Sequence, residues 1–104
     1  MKPIGFHNYY VYILTNVTKK VLYVGVSNDL QRRLIEHLQD SRIGKKTFAG
    51  KYNCCHLIYY EHFQYINDAI AREKEIKGWQ RSKKDALIQE SNPEWRFLNE
   101  EVEE

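Results

Sequence analysis

The chain has 104 residues, a net charge of +2 at pH 7, 42% apolar residues and 13% aromatic residues. This length predicts one domain, residues 1–104, and the apolar content favours a folded globule over a disordered chain. No run approaches the roughly 18 apolar residues of a membrane span, and the first eight residues lack the apolar segment of a signal peptide. We therefore expect a soluble, cytoplasmic protein with no membrane partner.

The charge is unevenly distributed along the chain. Residues 94–104 hold five glutamates and one arginine, a balance of −4, which leaves +6 on residues 1–93. A basic body with an acidic tail suits an anionic partner such as nucleic acid. It equally describes an ordinary solvated surface with a frayed acidic end.

The first structural unit is an antiparallel hairpin of residues 9–15 with residues 21–26. Both segments are rich in Tyr, Val and Ile, which favour strands, and the connection between them is short. Because side chains alternate along a strand, Tyr10 and Tyr12 share one face and Val11 and Ile13 the other. In the second strand, Leu22, Val24 and Val26 lie opposite Tyr23.

A helix follows the hairpin, with Leu30, Leu34 and Leu38 on one stripe. Asn28, with Gln31 three residues later, has the form of a capped helix start.

Two side chains of this helix are candidates for function. Arg33 and His37 are four residues apart, so they lie on one face beside the leucines. Arg32 instead precedes Glu36 by four residues, where an exposed ion pair of small value is expected. Arg33 is therefore the better functional candidate of the two arginines.

Residues 39–53 form the most flexible predicted segment, which contains two glycines and four basic residues: Arg42, Lys45, Lys46 and Lys51. We interpret these cations as contacts to backbone phosphates, because the segment leaves the end of the Arg33 helix. A mobile, solvated loop is the alternative.

A third strand is predicted over residues 56–61, in which Leu57, Tyr59 and Glu61 alternate with Ile58, Tyr60 and His62. The preceding Cys54 and Cys55 are interpreted as small, buried, reduced residues, since adjacent strand residues point to opposite faces and cannot readily form a disulfide. No ligand spacing for a cysteine or histidine metal site is present.

The next helix begins near Asp68 and carries Ala69, Glu73 and Ile76 on its core-facing stripe. A carboxylate on such a stripe costs free energy unless a cation meets it. The cation is either a buried Lys or Arg, which is a structural role, or a metal ion.

The chain ends with two shorter helical segments. The junction before the first is basic, with Lys77, Arg81, Lys83 and Lys84, and Asn92 with Pro93 is predicted to begin the second. The fold class is thus α/β (α+β), a small three-stranded antiparallel sheet flanked by helices. The order is β-β-α-β-α-α plus a short C-terminal helix, with residues 8–90 as the core and 91–104 as short helix and acidic tail.

Five side chains have the chemistry to cut a phosphodiester: Tyr12, Tyr23, Arg33, His37 and Glu73. Hydrolysis needs a cation on the phosphate, a stabilised leaving oxygen and a deprotonated water. A single Glu is a credible Mg²⁺ anchor, because Mg²⁺ keeps several waters and takes other ligands from the phosphate.

Four sequence blocks resemble the GIY-YIG nuclease superfamily. Tyr10-Val11-Tyr12 and, ten residues later, Tyr23-Val24-Gly25 resemble its paired signature. Residues 28–37 resemble its first helix and residues 69–79 its glutamate-bearing helix, while the closing Asn-Pro-Glu-Trp of residues 92–95 is typical of small stand-alone bacterial members.

The resemblance implies a metal-dependent endonuclease that acts on DNA, in repair or recombination, with Mg²⁺ or Mn²⁺ as cofactor. It implies that Tyr12 or Tyr23 helps to activate water, that Arg33 holds the phosphate and that Glu73 holds the metal, all converging on one surface of the sheet. His37 matches a position that is often polar in the family. Asn92 and Asn99 are candidates for an asparagine that often follows the glutamate helix. The alternative is a nucleic-acid-binding module that keeps the fold, cuts weakly or not at all, and acts with a partner protein.

Overall fold

The computed structural model describes residues 8–43 and 52–102. Its three strands are β1 (Tyr9–Thr15), β2 (Leu22–Ser27) and β3 (His56–Phe63), and its helices are α1 (Leu30–Ile43), α2 (Ile66–Lys77), α3 (Arg81–Ser91) and α4 (Asn99–Val102). The strands form one antiparallel sheet in the order β2-β1-β3. The predicted fold class and element order are therefore confirmed. No helix in the described ranges is both long and apolar enough to cross a membrane.

The hairpin is closed by a side chain of its own loop. Asn16 Oδ1 accepts hydrogen bonds from the backbone N–H groups of Lys20 (3.0 Å) and Val21 (3.2 Å). Lys19 adopts a left-handed conformation with φ 61°. β1 then pairs with β2 from Tyr10 opposite Ser27 to Thr15 opposite Leu22.

The sheet separates two buried clusters, as the alternation in the first two strands predicts. The cluster under α2 and α3 contains Val11, Ile13, Val24, Ile58, Tyr59, Ala69, Ile76 and Ile88. The cluster under α1 contains Tyr12, Leu14, Leu30, Leu34, Cys54 and Leu57, with Val102 of α4 packed against it. The molecule is therefore a three-layer sandwich, with α1 and α4 on one face of the sheet and α2 and α3 on the other.

The predicted alternation of β3 is wrong because the strand contains a β-bulge. Ile13 pairs with Tyr59 while the next residue, Leu14, pairs with Leu57. Ile58 is thus the extra residue, and two residues of β3 oppose one of β1. As a result Ile58 and Tyr59 both pack under α2, whereas Leu57 and Tyr60 pack under α1.

Helix α1 begins one residue later than expected. Asp29, not Asn28, is the cap: its Oδ1 accepts the N–H of Arg32 at 3.1 Å. The buried stripe also differs, because Leu38 is 39% exposed whereas His37 is 2% exposed. His37 therefore occupies the third inward position after Leu30 and Leu34.

The prediction that Asn92 begins the last helix is also wrong. Asn92 ends α3, and its buried side chain donates to the carbonyls of Ile58 (3.0 Å) and Arg96 (2.9 Å). α4 begins at Asn99, whose side chain accepts from Leu57 N–H (2.8 Å) and donates to Cys55 C=O (3.0 Å). Both asparagines thus satisfy backbone groups on the outer edge of β3, which would otherwise stay unpaired.

Candidate functional site

The site is built around a buried hydrogen bond between β1 and α1. The hydroxyl of Tyr12 lies 3.0 Å from Nε2 of His37, and the two residues are 1% and 2% exposed. Leu30 and Leu34 pack in the same cluster and hold α1 against the sheet. The helix packing therefore fixes where the imidazole meets the phenol.

Tyr23 of β2 completes a cluster of three rings, called here the Tyr12–Tyr23–His37 cluster. Its ring centroid lies 5.2 Å from that of His37 and 6.3 Å from that of Tyr12. Both tyrosines come from the sheet face that α1 covers. The structure therefore brings together three of the five side chains that the sequence analysis selected.

Gly25 makes room for the Tyr12 ring. It is the residue opposite Tyr12 on β2, and a Cβ atom at this position would lie 2.5 Å from the Tyr12 hydroxyl oxygen. Any side chain here would displace the ring, and this steric constraint explains the glycine of the Tyr-Val-Gly block.

Arg33 reaches the same cluster from α1. Its side chain is 37% exposed and forms an ion pair of 2.9 Å with Glu36, whereas Arg32 lies 3.9 Å from that carboxylate. The sequence predicts the Arg32–Glu36 pair from a spacing of four residues. The closer Arg33–Glu36 pair was not predicted, although its spacing of three residues permits it. Glu36 therefore holds the Arg33 guanidinium in place beside the cluster.

The electrostatics of the cluster keep both polar partners neutral at pH 7. Burial, aided by Tyr23, raises the pKa of the Tyr12 phenol far above its usual value, although the Arg33 guanidinium opposes this shift. Burial, aided by the positive charge of Arg33, lowers the pKa of His37 to about 4. A neutral phenol is thus hydrogen-bonded to a neutral imidazole.

The second ring nitrogen of His37 is buried without a hydrogen bond. Among the described residues, Nδ1 of His37 is the buried side-chain polar atom that has no partner. An unpaired buried polar atom costs about 1–3 kcal/mol. Since packing alone would favour an apolar residue here, the imidazole is a candidate for chemistry.

Glu73 lies on a different helix from Arg33 and His37. Its side chain is 16% exposed and pairs with Lys77 at 3.4 Å, and α2 packs on the opposite face of the sheet from α1. Arg72 fixes this helix by donating to both carboxylate oxygens of Glu61, at 3.0–3.2 Å. The expectation that Glu73 shares one sheet surface with Tyr12 and Tyr23 is therefore corrected: it comes from the other face.

The two faces meet along β2, which is an edge strand. One groove there is lined by Val26, Arg33 and Ile66, among others. A second groove contains Tyr23 and Lys77. Since Ile66 begins α2 and Lys77 ends it, α2 runs along this edge. Glu73 lies on α2 between those two residues, one turn before Lys77.

The predicted phosphate-binding segment is only partly described. Arg42 is exposed near the end of α1, while Lys45, Lys46 and Lys51 lie outside the described residues.

The described side chains could hold a magnesium ion only if water and phosphate supplied most of its ligands. Within residues 8–43 and 52–102 there is no group of three or more His, Cys, Asp or Glu side chains that could hold a metal. Glu73 is nevertheless a suitable single anchor, because Lys77, its ion-pair partner among the described residues, is 52% exposed and can move away. Mg²⁺ commonly binds through one or two carboxylates and keeps several waters.

The chain is similar to known proteins in both sequence and fold. A family model described as the GIY-YIG catalytic domain matches residues 8–86. A UPF0213 protein of Bacillus pumilus is 36% identical over 94 residues, which cover 90% of this chain and 92% of that protein. A UPF0213 protein of Natronomonas pharaonis is 35% identical over 81 residues, covering 78% and 91%. The solution NMR structure of a UPF0213 protein from Bacillus halodurans has a TM-score of 0.53 and 26% identity, covering 85% of this chain and 89% of that one.

Proposed function

Because the chain belongs to the GIY-YIG family of nuclease catalytic domains, we propose that it is a metal-dependent endonuclease that hydrolyses phosphodiester bonds in DNA. The observation that carries this proposal is the Tyr12–Tyr23–His37 cluster with Arg33 beside it. A binding protein needs cations on its surface, but it has no need of a buried, hydrogen-bonded phenol and imidazole. We further propose that residues 1–104 act as one domain.

Arg33 is proposed to hold the scissile phosphate. Its guanidinium carries five donors in a fixed fork that matches phosphate oxygens. The phosphate would replace the Glu36 carboxylate, which is 42% exposed and free to turn away. The same contact would strengthen as negative charge develops in the transition state.

Tyr12 and His37 are proposed to move the proton of the attacking water. A neutral Tyr12 can accept that proton only if it passes its own proton on, and Nε2 of His37 at 3.0 Å is the acceptor in reach. The low pKa of His37 in the free protein makes it a weak base. A bound phosphodiester would raise that pKa, because its negative charge favours the imidazolium. Tyr23 is the alternative activating group, since its ring packs on the same imidazole.

Glu73 is proposed to hold Mg²⁺ or Mn²⁺ at the β2 edge. A metal ion bound there would polarise the phosphate and stabilise the leaving oxygen. The chain's own contribution is to keep this carboxylate in place: Arg72 binds Glu61 on β3, which fixes α2. Arg42, which is exposed near the end of α1, is proposed to contact phosphates farther from the cut. The same role is proposed for Lys45, Lys46 and Lys51, which follow it in the sequence.

One observation favours a second function, a nucleic-acid-binding module that cuts weakly or not at all. The Glu73 carboxylate forms an ion pair with Lys77 at 3.4 Å. If this ion pair persists in the complex, no carboxylate is free for a metal. Such a module would act together with a partner protein.

The test is incubation of the protein with labelled duplex, branched and single-stranded DNA, and with duplex RNA. Each substrate is tested with Mg²⁺, with Mn²⁺ and with a chelator. We expect cleavage of DNA only when a metal is present. Binding of DNA without cleavage under any condition would support the binding module and overturn the nuclease.

Two substitutions assign the roles. Glu73→Gln should lower the cleavage rate at least about 100-fold and leave DNA binding largely intact, because it removes one charge that the metal needs. Its matched control is Glu75→Gln, which removes an exposed carboxylate of the same helix. Full activity in Glu73→Gln would contradict the metal assignment.

Arg33→Ala should lower both binding and cleavage, the latter again at least about 100-fold. Arg32→Ala is its control, since that neighbouring side chain is 65% exposed and more distant from Glu36. Equal losses in the two variants would show a general charge effect and contradict the assignment of Arg33.

A further inference from the structure

A second groove opens on the β2 edge, on the side of α2 and α3. It has a volume of about 300 Å³ and is lined by Leu22, Tyr23, Val24, Lys77 and Lys84. Its lining includes two cations and no carboxylate. Tyr23, the proposed catalytic residue on β2, is a member of this lining as well as of the Tyr12–Tyr23–His37 cluster.

The two lysines of this groove are available to an anion. Lys84 is half-buried, and it makes no ion pair with any carboxylate of the described residues. Lys77 is 52% exposed and has a long contact, 3.4 Å, with Glu73 one helical turn away. A half-buried ammonium without a carboxylate partner favours an anionic ligand.

The neighbouring basic side chains have structural partners and are not available in this way. Arg81 donates to Asp85 (2.7 Å) and to the hairpin carbonyls of Lys20 (2.6 Å) and Lys19 (3.0 Å). Lys83 is exposed and lies over the Trp79 ring, 4.4 Å from its centroid. The basic junction between α2 and α3 thus divides into residues that fix the corner and two lysines that face the groove.

The groove continues the edge on which Arg33 lies. β2 contributes Val26 to the Arg33 groove and Val24 to the lysine groove. The two grooves therefore lie two residues apart on the same strand. A nucleic-acid strand that places one phosphate on Arg33 and runs along this edge would therefore meet the lysine groove next.

We propose that this groove binds the phosphodiester backbone of the DNA strand, with Lys77 and Lys84 each contacting a phosphate beyond the one on Arg33. This inference rests on the proposed function, and it gives the strand a direction, from α1 across β2 to the corner of α2 and α3. A phosphate on Lys77 also releases Glu73 from its ion pair, so strand binding and exposure of the Glu73 carboxylate are linked.

The experiment measures binding of a fluorescent DNA duplex to the full chain by anisotropy, in chelator and over a series of KCl concentrations. Each neutralised phosphate contributes about 0.9 to the slope of log affinity against log salt for duplex DNA. We expect Lys84→Ala to lower the slope by about 1 and the Lys77→Ala/Lys84→Ala double variant to lower it by about 2. Lys84→Ala is the cleaner single variant, because Lys77→Ala also unpairs Glu73.

Charge-matched controls separate the groove from a general charge effect. Lys74→Ala removes an exposed lysine of α2 and Lys83→Ala one of α3, and both should keep the wild-type slope. A wild-type slope in the double variant, or equal losses in the controls, would overturn the inference and leave the nuclease proposal standing. No salt-dependent DNA binding by the wild-type protein would overturn both. Thermal unfolding of each variant verifies that it is folded.

Discussion

The two faces of the sheet have different chemistry. The fully buried residues under α2 and α3 are aliphatic apart from Tyr59, and further aromatic side chains pack around them: Tyr9, Phe63, Trp79 and Trp95. The face under α1 buries the hydrogen-bonded pair of Tyr12 and His37, with Arg33 beside it. The first face supplies stability through apolar burial, whereas the second retains polar groups that cost stability. The polar groups of the α1 face are those to which the proposed function assigns a role.

Ile76→Ala is expected to have the largest effect on stability. Ile76 is fully buried in the aliphatic cluster, and such truncations cost about 2–5 kcal/mol of unfolding free energy. Urea unfolding measures this loss. Leu38→Ala on the α1 side is the control, because Leu38 is 39% exposed and should cost much less. Equal losses at the two positions would show that Ile76 is not as fully buried as the structure places it.

The pH dependence of stability should come from the other face. The ordinary pKa of histidine is 6.5, and burial lowers that of His37 to about 4. Between these values the unfolded chain binds more protons, so the stability contributed by neutral His37 is present above pH 6.5 and is lost as the pH falls towards 4. At 1.36 kcal/mol per pKa unit, the loss is up to about 3 kcal/mol.

Unfolding of wild-type protein and His37→Gln at pH 7 and pH 4.5 isolates this contribution. Carboxylates such as Glu36, whose pKa is lowered mainly by Arg33, act alike in both proteins and cancel in the comparison. The variant should lose less stability on acidification. An identical pH dependence in the two proteins would show that His37 is not buried as a neutral group.

Gly25→Ala tests the packing of the Tyr12 ring. The added methyl group would overlap the Tyr12 hydroxyl at 2.5 Å, and such overpacking costs about 1–3 kcal/mol. Gly78→Ala is the matched control, since its nearest neighbour would lie 3.6 Å away and its backbone is αR, where alanine is unstrained. If both variants unfold at the same urea concentration, Tyr12 has more freedom than the structure assigns to it.

The features that could be predicted from sequence were those set by local alternation. The faces of β1 and β2 follow directly from the spacing of Val11, Ile13 and Val24, and the faces agree with the two clusters. Ala69 and Ile76 likewise mark the inward stripe of α2. Local pattern therefore predicts the sheet and the order of the elements, whereas the roles of Tyr12 and Tyr23 follow from the resemblance to the family.

The features that could not be predicted depend on partners far along the chain. The bulge at Ile58 arises from the way β3 pairs with β1. The side chain of Asn92 donates a hydrogen bond to the carbonyl of that bulged residue instead of capping the start of a helix. His37, and not Leu38, lies on the buried stripe, where it forms a hydrogen bond with Tyr12. Such choices are set by tertiary contacts, which helical periodicity does not contain.

The smallest effect on stability is expected from Glu36→Gln. The carboxylate forms exposed ion pairs with Arg32 and Arg33, and such surface pairs contribute little to stability because solvent screens them. The affinity for DNA, in contrast, should rise. With the carboxylate gone, Arg33 no longer has to exchange an internal anion for the phosphate, so affinity should rise at low salt, where charges are screened least. Anisotropy with a DNA duplex in chelator measures this gain, and Asp85→Asn, which unpairs Arg81 on α3, is the control.

A gain of the same size in Asp85→Asn would mean that net charge, and not the release of Arg33, sets the affinity. A loss of affinity in Glu36→Gln would mean that Glu36 orients Arg33 for the phosphate instead of competing with it.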